Sequence, residues 1–176
     1  MGMSFLDIWA ELGKFMDSGG MVLWAIVALL CIMWTLLFER MWYLRSSVSQ
    51  DVQAALDQWE ARAERKSKRA HQIREKLISE VSLKIDQNLM MIKTLVAVAP
   101  LFGLLGTVTG MIVVFDVMAF TGGGDAKAMA GGVSRATIPT MSGMVAALSG
   151  VFGLTYVERN ADREKHLLED HLTMDH

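Results

Sequence analysis

Charge is absent from three long stretches of this sequence, and cysteine is almost absent from all of it. Residues 21–38, 95–115 and 136–157 contain no Asp, Glu, Lys or Arg. Each stretch reaches the roughly 18–20 apolar residues that cross a bilayer as a helix, and buried helices of soluble domains rarely run so long without a charge. The one cysteine, Cys31, excludes a disulfide framework within the chain. The sequence therefore predicts an all-α integral membrane protein with three transmembrane helices.

The sequence also lacks the residue patterns of an enzyme, a metal protein or a nucleic-acid-binding protein. The glycine-containing run 106–110 has no lysine of a phosphate-binding loop. The basic stretch 65–74 has acidic residues beside it and no base-stacking aromatics. All four histidines lie outside the charge-free stretches, and the last three are five residues apart, which scatters them around a helix: His71, His166, His171 and His176. We expect no catalysis, no cofactor, no metal site and no nucleic-acid partner.

Positive charge is concentrated between the first and second charge-free stretches and in the C-terminal tail. The N-terminal stretch offers only Lys14, and the short connection between the last two stretches offers only Lys127. Cytoplasmic loops of membrane proteins carry an excess of Lys and Arg. The placement of charge therefore predicts an N-terminus on the outer side of the membrane, with the central loop and the C-terminus in the cytoplasm.

The predicted topology divides the chain into seven segments. They are a periplasmic interfacial amphipathic helix at 4–16 with Ser4 as a candidate N-cap, transmembrane helices at 21–44, 94–120 and 131–157, a cytoplasmic helical hairpin at 46–93, a short periplasmic turn at 121–130 and a cytoplasmic tail at 158–176. Gly19 and Gly20 separate the amphipathic helix from the first span. Apolar residues at nearly every fourth position predict a second hairpin arm that runs straight into the second span: Ile73, Leu77, Val81, Ile85 and Leu89.

Small residues form a stripe on each of the last two predicted spans. Residues at helical spacing share one face of a helix. The two stripes are Gly103, Gly106, Thr107 and Gly110 on one span, and Ala136, Thr140, Gly143, Ala147 and Gly150 on the other. Such a stripe suits a helix that lies against another backbone or one that lines a narrow path, and the sequence leaves both open.

Thr107 and Thr140 place hydroxyl groups at hydrocarbon depth. A membrane threonine commonly bonds back to a carbonyl of its own helix, but paired stripes favour an interface or a water-lined path between helices. A hydroxyl orients water and passes on hydrogen bonds without titrating. No carboxylate lies at mid-membrane depth in this chain, so a proton path here needs an acid from a partner.

Four charged residues near the ends of the predicted spans are candidate pore-mouth or interface residues. Glu39 and Arg40 either extend to the cytoplasmic interface or pair with a neighbouring subunit. Asp116 lies toward the outer end of the second span. Arg135, one turn into the third span, either extends outward or faces a polar interior.

Two segments resemble the paired signatures of the MotA/TolQ/ExbB proton-channel family. They are Ala-Pro-Leu-Phe-Gly-Leu-Leu-Gly-Thr-Val-Thr-Gly at 99–110 and Gly-Val-Ser-Arg-Ala-Thr-Ile-Pro-Thr-Met-Ser-Gly-Met-Val-Ala-Ala at 132–147. The order of elements is similar too, with an outside N-terminus, one span ending in Glu39 and Arg40, a large cytoplasmic loop, two closely linked spans and a cytoplasmic tail. Three spans resemble the ExbB and TolQ branches, because MotA-type stators have a fourth, and the small size is most similar to compact ExbB subunits.

The resemblance implies a pentamer of this chain in the bacterial inner membrane, around the single spans of an ExbD-like dimer with a TonB-like protein attached. The ExbD-like partner would supply the membrane aspartate, and Thr107 and Thr140 would line the pore. Proton entry would then power TonB-dependent uptake of iron chelates and vitamins across the outer membrane. A TolQ-like role in envelope maintenance and a non-conducting structural scaffold are the alternatives.

Two positions depart from the family pattern. Arg135 stands where ExbB commonly has a glutamate at the start of the third span, so the role of that glutamate is not carried over. Pro139, beside Thr140, is a second difference that alters where the helix bends. Either that glutamate is dispensable, or Asp116 or the partner compensates for it.

Overall fold

The computed structural model describes residues 5–61, 67–122 and 126–172, and all regular structure within these ranges is α-helical. The helices are α1 (Phe5–Ser46), α2 (Val48–Glu60), α3 (Lys68–Asp86), α4 (Leu89–Thr121) and α5 (Ala126–His171). The candidate N-cap Ser4, the glycine turn at 123–125 and His176 lie outside the described residues, and so do the side chains of 5–9 on the N-terminal amphipathic helix.

Three segments are long and apolar enough to cross a membrane: Gly19–Ser46, Lys68–Phe120 and Met129–His171. Their large apolar side chains point outward, and the extremes are Met21 and Phe120, which are 88% and 92% exposed. An outer surface of this kind suits hydrocarbon and would be costly in water. The all-helical fold with three candidate membrane-spanning helices, which the sequence predicts, is therefore confirmed.

Gly20 bends α1 near the N-terminal end of its apolar stretch. Its backbone has φ 62° and ψ −158°, outside the helical region, and helix continues on both sides. Glycine adopts a positive φ at little cost because it has no Cβ. Gly20 therefore separates two helical segments of α1 by a kink, at the position where the sequence predicts a break.

Asn88 interrupts the chain between α3 and α4. The expected continuous run from the hairpin into the second span is absent, because α3 ends at Asp86 and Asn88 has φ 64°. Asparagine is one of the few residues other than glycine that enter the left-handed region readily. The carbonyl of Asn88 then accepts the backbone N–H of Ile92 at 3.0 Å, which begins α4.

The chain divides into two compact units. The first comprises Met1–Met33 with Thr94–Val151, and the second comprises Trp34–Lys93 with Phe152–His176. In the first unit, α1, α4 and α5 meet in a core of two large and two small residues. The buried members of that core are Ile26, Leu29, Ala99 and Ala146.

In the second unit, α2 and α3 contact each other, and both also contribute to the buried interior. Trp59 and Ile85 are buried there, together with Leu168 near the end of α5. The guanidinium of Arg74 on α3 donates to the carbonyl oxygens of Leu172 at 2.5 Å and of Glu169 at 3.1 Å. Carbonyls at a helix C-terminus have no N–H of their own helix to accept, so Arg74 caps the end of α5.

Candidate functional site

Helices α4 and α5 lie backbone against backbone along their small-residue stripes. A Cβ added to Gly110 would lie 2.7 Å from the Cα of Ala136, and one added to Gly143 would lie 2.7 Å from the carbonyl oxygen of Ala99. Such spacing leaves no room for a side chain or a water molecule between the helices. We call this contact the α4–α5 seam, formed by Ala99, Gly103, Gly106 and Gly110 with Ala136, Pro139, Thr140 and Gly143.

Thr140 bonds across the seam. Its hydroxyl donates to the carbonyl oxygen of Gly103 at 2.9 Å, and a Cβ added to Gly103 would lie 3.0 Å from the Cα of Thr140. In a regular α-helix the same carbonyl also accepts the backbone N–H of Thr107. The absence of a side chain at Gly103 is what allows Thr140 to reach this carbonyl.

Thr107 and the neighbouring hydroxyl groups described on α4 and α5 bond within their own helices. Thr107 donates to the carbonyl of Leu104 at 2.6 Å. The same back-bonding to a carbonyl three or four residues earlier occurs at Thr109, Thr137, Ser142 and Ser149. This is the ordinary behaviour of hydroxyl side chains in membrane helices. The hydroxyls of Thr107 and Thr140 thus use adjacent carbonyls of α4, and their assignment to a pore stays a prediction.

A cavity of about 870 Å³ lies beside the seam in the first unit. Residues around the Gly20 kink form one wall, and α4 and α5 form the others, mainly with apolar and glycine residues. Arg135 lines this cavity, is exposed and makes no ion pair among residues 5–61, 67–122 and 126–172. Asp116 is also exposed and does not pair with Arg135. Arg135 therefore faces a mainly apolar cavity, where the sequence left open an outward orientation or a polar interior.

Near the end of α1, the buried Arg40 pairs with the half-exposed Glu39. Arg40 is 3% exposed, and its guanidinium donates to both carboxylate oxygens of Glu39, at 2.6 and 3.0 Å. Its remaining nitrogen donates to the carbonyl of Lys84 in the last turn of α3 at 3.0 Å. The amide of Asn88 donates to Glu39 at 3.3 Å. The charge of Arg40 is therefore satisfied inside the chain by Glu39 and by an open helix C-terminus, and the placement of this pair at the membrane interface stays a prediction.

The same region contains a second set of polar contacts, centred on Asp51 of α2. The phenol of Tyr43 donates to one carboxylate oxygen of Asp51 at 2.7 Å, and the ammonium of Lys84 donates to the other at 2.7 Å. The guanidinium of Arg40 lies 4.7 Å from the ring centre of Tyr43. The hydrogen bond from Lys84, followed by that from Tyr43, holds the pKa of Asp51 below its usual range. Together, the two contact sets join α1 to α2, to the last turn of α3 and to Asn88.

The structure unites some of the predicted residues and leaves others apart. Thr140 and the glycines of α4 meet in the seam, and Glu39 pairs with Arg40. The partners of Arg40 outside its own helix were not foreseen, because a carbonyl acceptor such as that of Lys84 leaves no mark on the side-chain sequence. Among the described residues, no group of three or more His, Cys, Asp and Glu is placed to hold a metal ion.

Comparison with known proteins finds relatives that align with part of this chain. One is the "Putative biopolymer transport protein ExbB-like 1" of Synechocystis sp., which is 44% identical over 61 residues, or 33% of this chain and 24% of that protein. Another is the "Biopolymer transport protein ExbB" of Helicobacter pylori, 34% identical over 85 residues, which are 48% of this chain and 59% of that protein. The protein of the same description from Xanthomonas campestris pv. campestris is 32% identical over 82 residues, covering 47% and 32% of the two chains.

These alignments span between 24% and 59% of the relatives' own lengths. A broader match comes from the sequence model of the MotA/TolQ/ExbB proton channel family, which fits residues 44–170. That range includes α2, α3, α4 and nearly all of α5, and with them both halves of the α4–α5 seam. The chain belongs to the MotA/TolQ/ExbB proton channel family.

Proposed function

We propose that this chain is an ExbB-like subunit of a complex that converts proton-motive force into mechanical work in the bacterial inner membrane. Several copies, five by family resemblance, surround the single membrane spans of an ExbD-like partner. A TonB-like protein carries the work to receptors for iron chelates and vitamins in the outer membrane. Membership of the proton channel family supports this function, as do relatives described as biopolymer transport proteins. The proposal includes a periplasmic N-terminus, a cytoplasmic C-terminus and no covalent chemistry.

The closed α4–α5 seam is the observation that carries the proposal. Where Gly110 meets Ala136 and Gly143 meets Ala99, the helices are too close for water. The close packing opposes a proton route between these two helices of one copy, and the proposal puts the route at a surface that copies of the chain share. The outward apolar side chains of α4 and α5 are consistent with contacts to other subunits and to lipid.

The acid in this scheme comes from the partner. The charge-free stretches of the chain contain no carboxylate, and hydroxyl groups do not change charge near neutral pH. A proton that neutralises the partner's aspartate changes how that span interacts with the apolar and hydroxyl-bearing surfaces around it. One charge crossing the membrane is worth about 2.3 kcal/mol per 100 mV, so a few protons suffice to displace a helix–helix contact.

Proton flux into liposomes tests the proposal. The complex with the ExbD-like partner is expected to conduct protons only while the partner's membrane aspartate is intact, and Thr140→Val is expected to reduce the flux. Thr137→Val is the matched control, because it removes a hydroxyl that bonds only within its own helix. Flux from this chain without the partner contradicts the proposal, and so does full flux from Thr140→Val.

A structural scaffold without conduction is the second candidate, and the hydrogen bonds of the seam favour it. Thr107 and Thr140 both donate to backbone carbonyls of the same chain. Hydrogen bonds of this kind serve helix structure and packing without any conduction. In that case, dissipating the membrane potential leaves the partner's contacts unchanged and Thr107→Ser behaves like Thr107→Val. A deletion strain separates the remaining TolQ-like role, because detergent sensitivity indicates envelope maintenance whereas loss of chelate uptake indicates the ExbB-like role.

A further inference from the structure

A groove of about 380 Å³ lies between the last turns of α1 and residues 156–164 of α5 in the second unit. Leu37 of α1 packs against Gly153 of α5, because a Cβ added to Gly153 would lie 2.7 Å from the Cδ1 of Leu37. The two helices are therefore in direct contact at this point. The charge-free stretch of α1 ends at residue 38 and that of α5 at residue 157. The groove follows directly on both, and its main lining residues are Phe38, Trp42, Arg45, Tyr156, Asn160 and Glu164.

Polarity changes along this groove. The residues nearest the charge-free stretches, Phe38, Trp42 and Tyr156, are large aromatics that are more than half exposed. Arg45, Asn160 and Glu164 follow further along the two helices. An aromatic zone that gives way to charge is typical of helices where hydrocarbon meets lipid headgroups. The groove therefore matches an amphiphile whose apolar part points toward the membrane interior.

The two charged residues of the groove carry opposite charges and do not form an ion pair. Arg45 and Glu164 pair neither with each other nor with another charged group in the described part of the chain. Neighbouring charges on α5 are used differently, since Lys165 pairs with Asp86 at 2.6 Å and Glu158 with Lys93 at 2.6 Å. One groove thus offers a cation and an anion, both available to a ligand.

We propose that this groove binds the headgroup of a zwitterionic phospholipid that carries a primary ammonium, a phosphoethanolamine. The Arg45 guanidinium contacts the phosphate, which matches its planar array of donors. The Glu164 carboxylate and the Asn160 amide oxygen accept hydrogen bonds from the ammonium. A quaternary choline cannot donate these bonds, and the Glu164 carboxylate repels a headgroup with only negative charge. The glycerol and upper acyl chain lie on Phe38, Trp42 and Tyr156.

Retention of lipid by the purified full-length chain in detergent tests this site. Native mass spectrometry is used to compare phosphatidylethanolamine, phosphatidylglycerol and phosphatidylcholine with identical acyl chains. We expect phosphatidylethanolamine to be retained on the order of tenfold more strongly than either of the others, because each charge-assisted contact is worth about one factor of ten. Arg45→Ala is expected to lower retention of all three lipids. Glu164→Gln is expected to remove the preference for phosphatidylethanolamine over phosphatidylglycerol. Arg159→Ala is the control, since this exposed α5 residue does not line the groove.

Two results overturn the proposal. One is that the wild type retains phosphatidylethanolamine and phosphatidylglycerol equally, or that Glu164→Gln leaves the preference for phosphatidylethanolamine unchanged. The other is disulfide cross-linking between copies that carry Arg45→Cys and copies that carry Glu164→Cys, in a Cys31→Ala background, since this shows a second chain in the groove. Glu164→Gln preserves the side-chain size, so its result stands if Arg45→Ala fails to fold. The measurement needs no proton conduction and is therefore independent of the proposed function.

Discussion

The hydroxyl of Thr140 donates to the carbonyl of Gly103 across 2.9 Å and joins α5 to α4 within the α4–α5 seam. Since the backbone N–H of Thr107 uses the same carbonyl in a regular helix, the two threonines are linked through one acceptor. A change at Thr140 thus acts first on the α4 backbone beside Thr107. The Thr140–Gly103 hydrogen bond therefore bears on both the proton flux and the stability of the seam.

Removing the Thr140 hydroxyl is expected to weaken the seam slightly. Thr140→Val loses the bond to Gly103, but that carbonyl keeps the N–H of Thr107, so the cost is about 0.6 kcal/mol and at most about 1.7 kcal/mol. Thr140→Ser retains a donor and is expected to match the wild type more closely. The unfolding midpoint in an SDS titration followed by circular dichroism measures both. Equal midpoints for the valine and serine variants would show that the bond contributes nothing.

Adding one methyl group to the seam is expected to be far more harmful than adding one elsewhere on α5. In Gly143→Ala the new Cβ meets the carbonyl oxygen of Ala99 at 2.7 Å and the Cα of Gly103 at 3.0 Å, and neither backbone atom moves easily. Overpacking of this kind costs about 1–3 kcal/mol. Gly131→Ala is the control, because nothing lies within 4 Å of its added Cβ, and alanine gains up to about 1 kcal/mol in helix propensity. If Gly143→Ala and Gly131→Ala have the same unfolding midpoint, the two helices are farther apart at the seam than the structure indicates.

Arg40 is expected to be the most sensitive charged residue of the second unit. Arg40→Met removes the guanidinium donor from the half-exposed Glu39 carboxylate and from the Lys84 carbonyl, and losing such hydrogen bonds costs about 1–3 kcal/mol. Lys76→Met is a control at an exposed pair with Glu80, where the loss is expected to be below about 0.5 kcal/mol. Chemical unfolding of both variants in the same detergent gives the comparison. A small effect at Arg40 would mean that water replaces its bonds.

Acid is expected to weaken the contact that Asp51 makes. The usual pKa of this side chain is 3.8, and the hydrogen bonds from Lys84 and Tyr43 lower the pKa of Asp51 in the folded chain. The folded state therefore binds fewer protons than the unfolded state just below pH 3.8. The contribution of Asp51 is complete above that pH and is lost as the pH falls through the lowered value. The unfolding midpoints of the wild type and Asp51→Asn are expected to converge at acid pH, and a constant gap between pH 2 and 6 would refute this assignment.

The sequence predicts the fold well wherever hydrophobic spacing decides it. The charge-free stretches became the three apolar helical segments, and Leu77, Val81 and Ile85 are buried along α3 as their spacing indicates. The break at Asn88 was missed, because the apolar period continues through it to Leu89 while one backbone angle ends the helix. Periodicity reports which face is apolar and carries little information about a single dihedral angle.

The candidate site was predictable only in part, for a related reason. Small residues at helical spacing located the seam, but the spacing alone did not reveal that the stripes of α4 and α5 face each other within one chain. For Arg40 the sequence left open the membrane interface and a neighbouring subunit, and it did not reveal the Lys84 carbonyl, because that contact depends on how α3 ends beside α1. Contacts to backbone carbonyls follow from tertiary packing, which no local pattern encodes.

The cap that Arg74 places on α5 has a consequence for how the chain is made. Its acceptor on Leu172 lies 98 residues later. The ribosome therefore synthesises all of α4 and α5 before the guanidinium of Arg74 can form this hydrogen bond. Segments that emerge early fold early, yet this contact cannot form until residue 172 has been synthesised. The cap therefore forms only after both later apolar helices have left the ribosome.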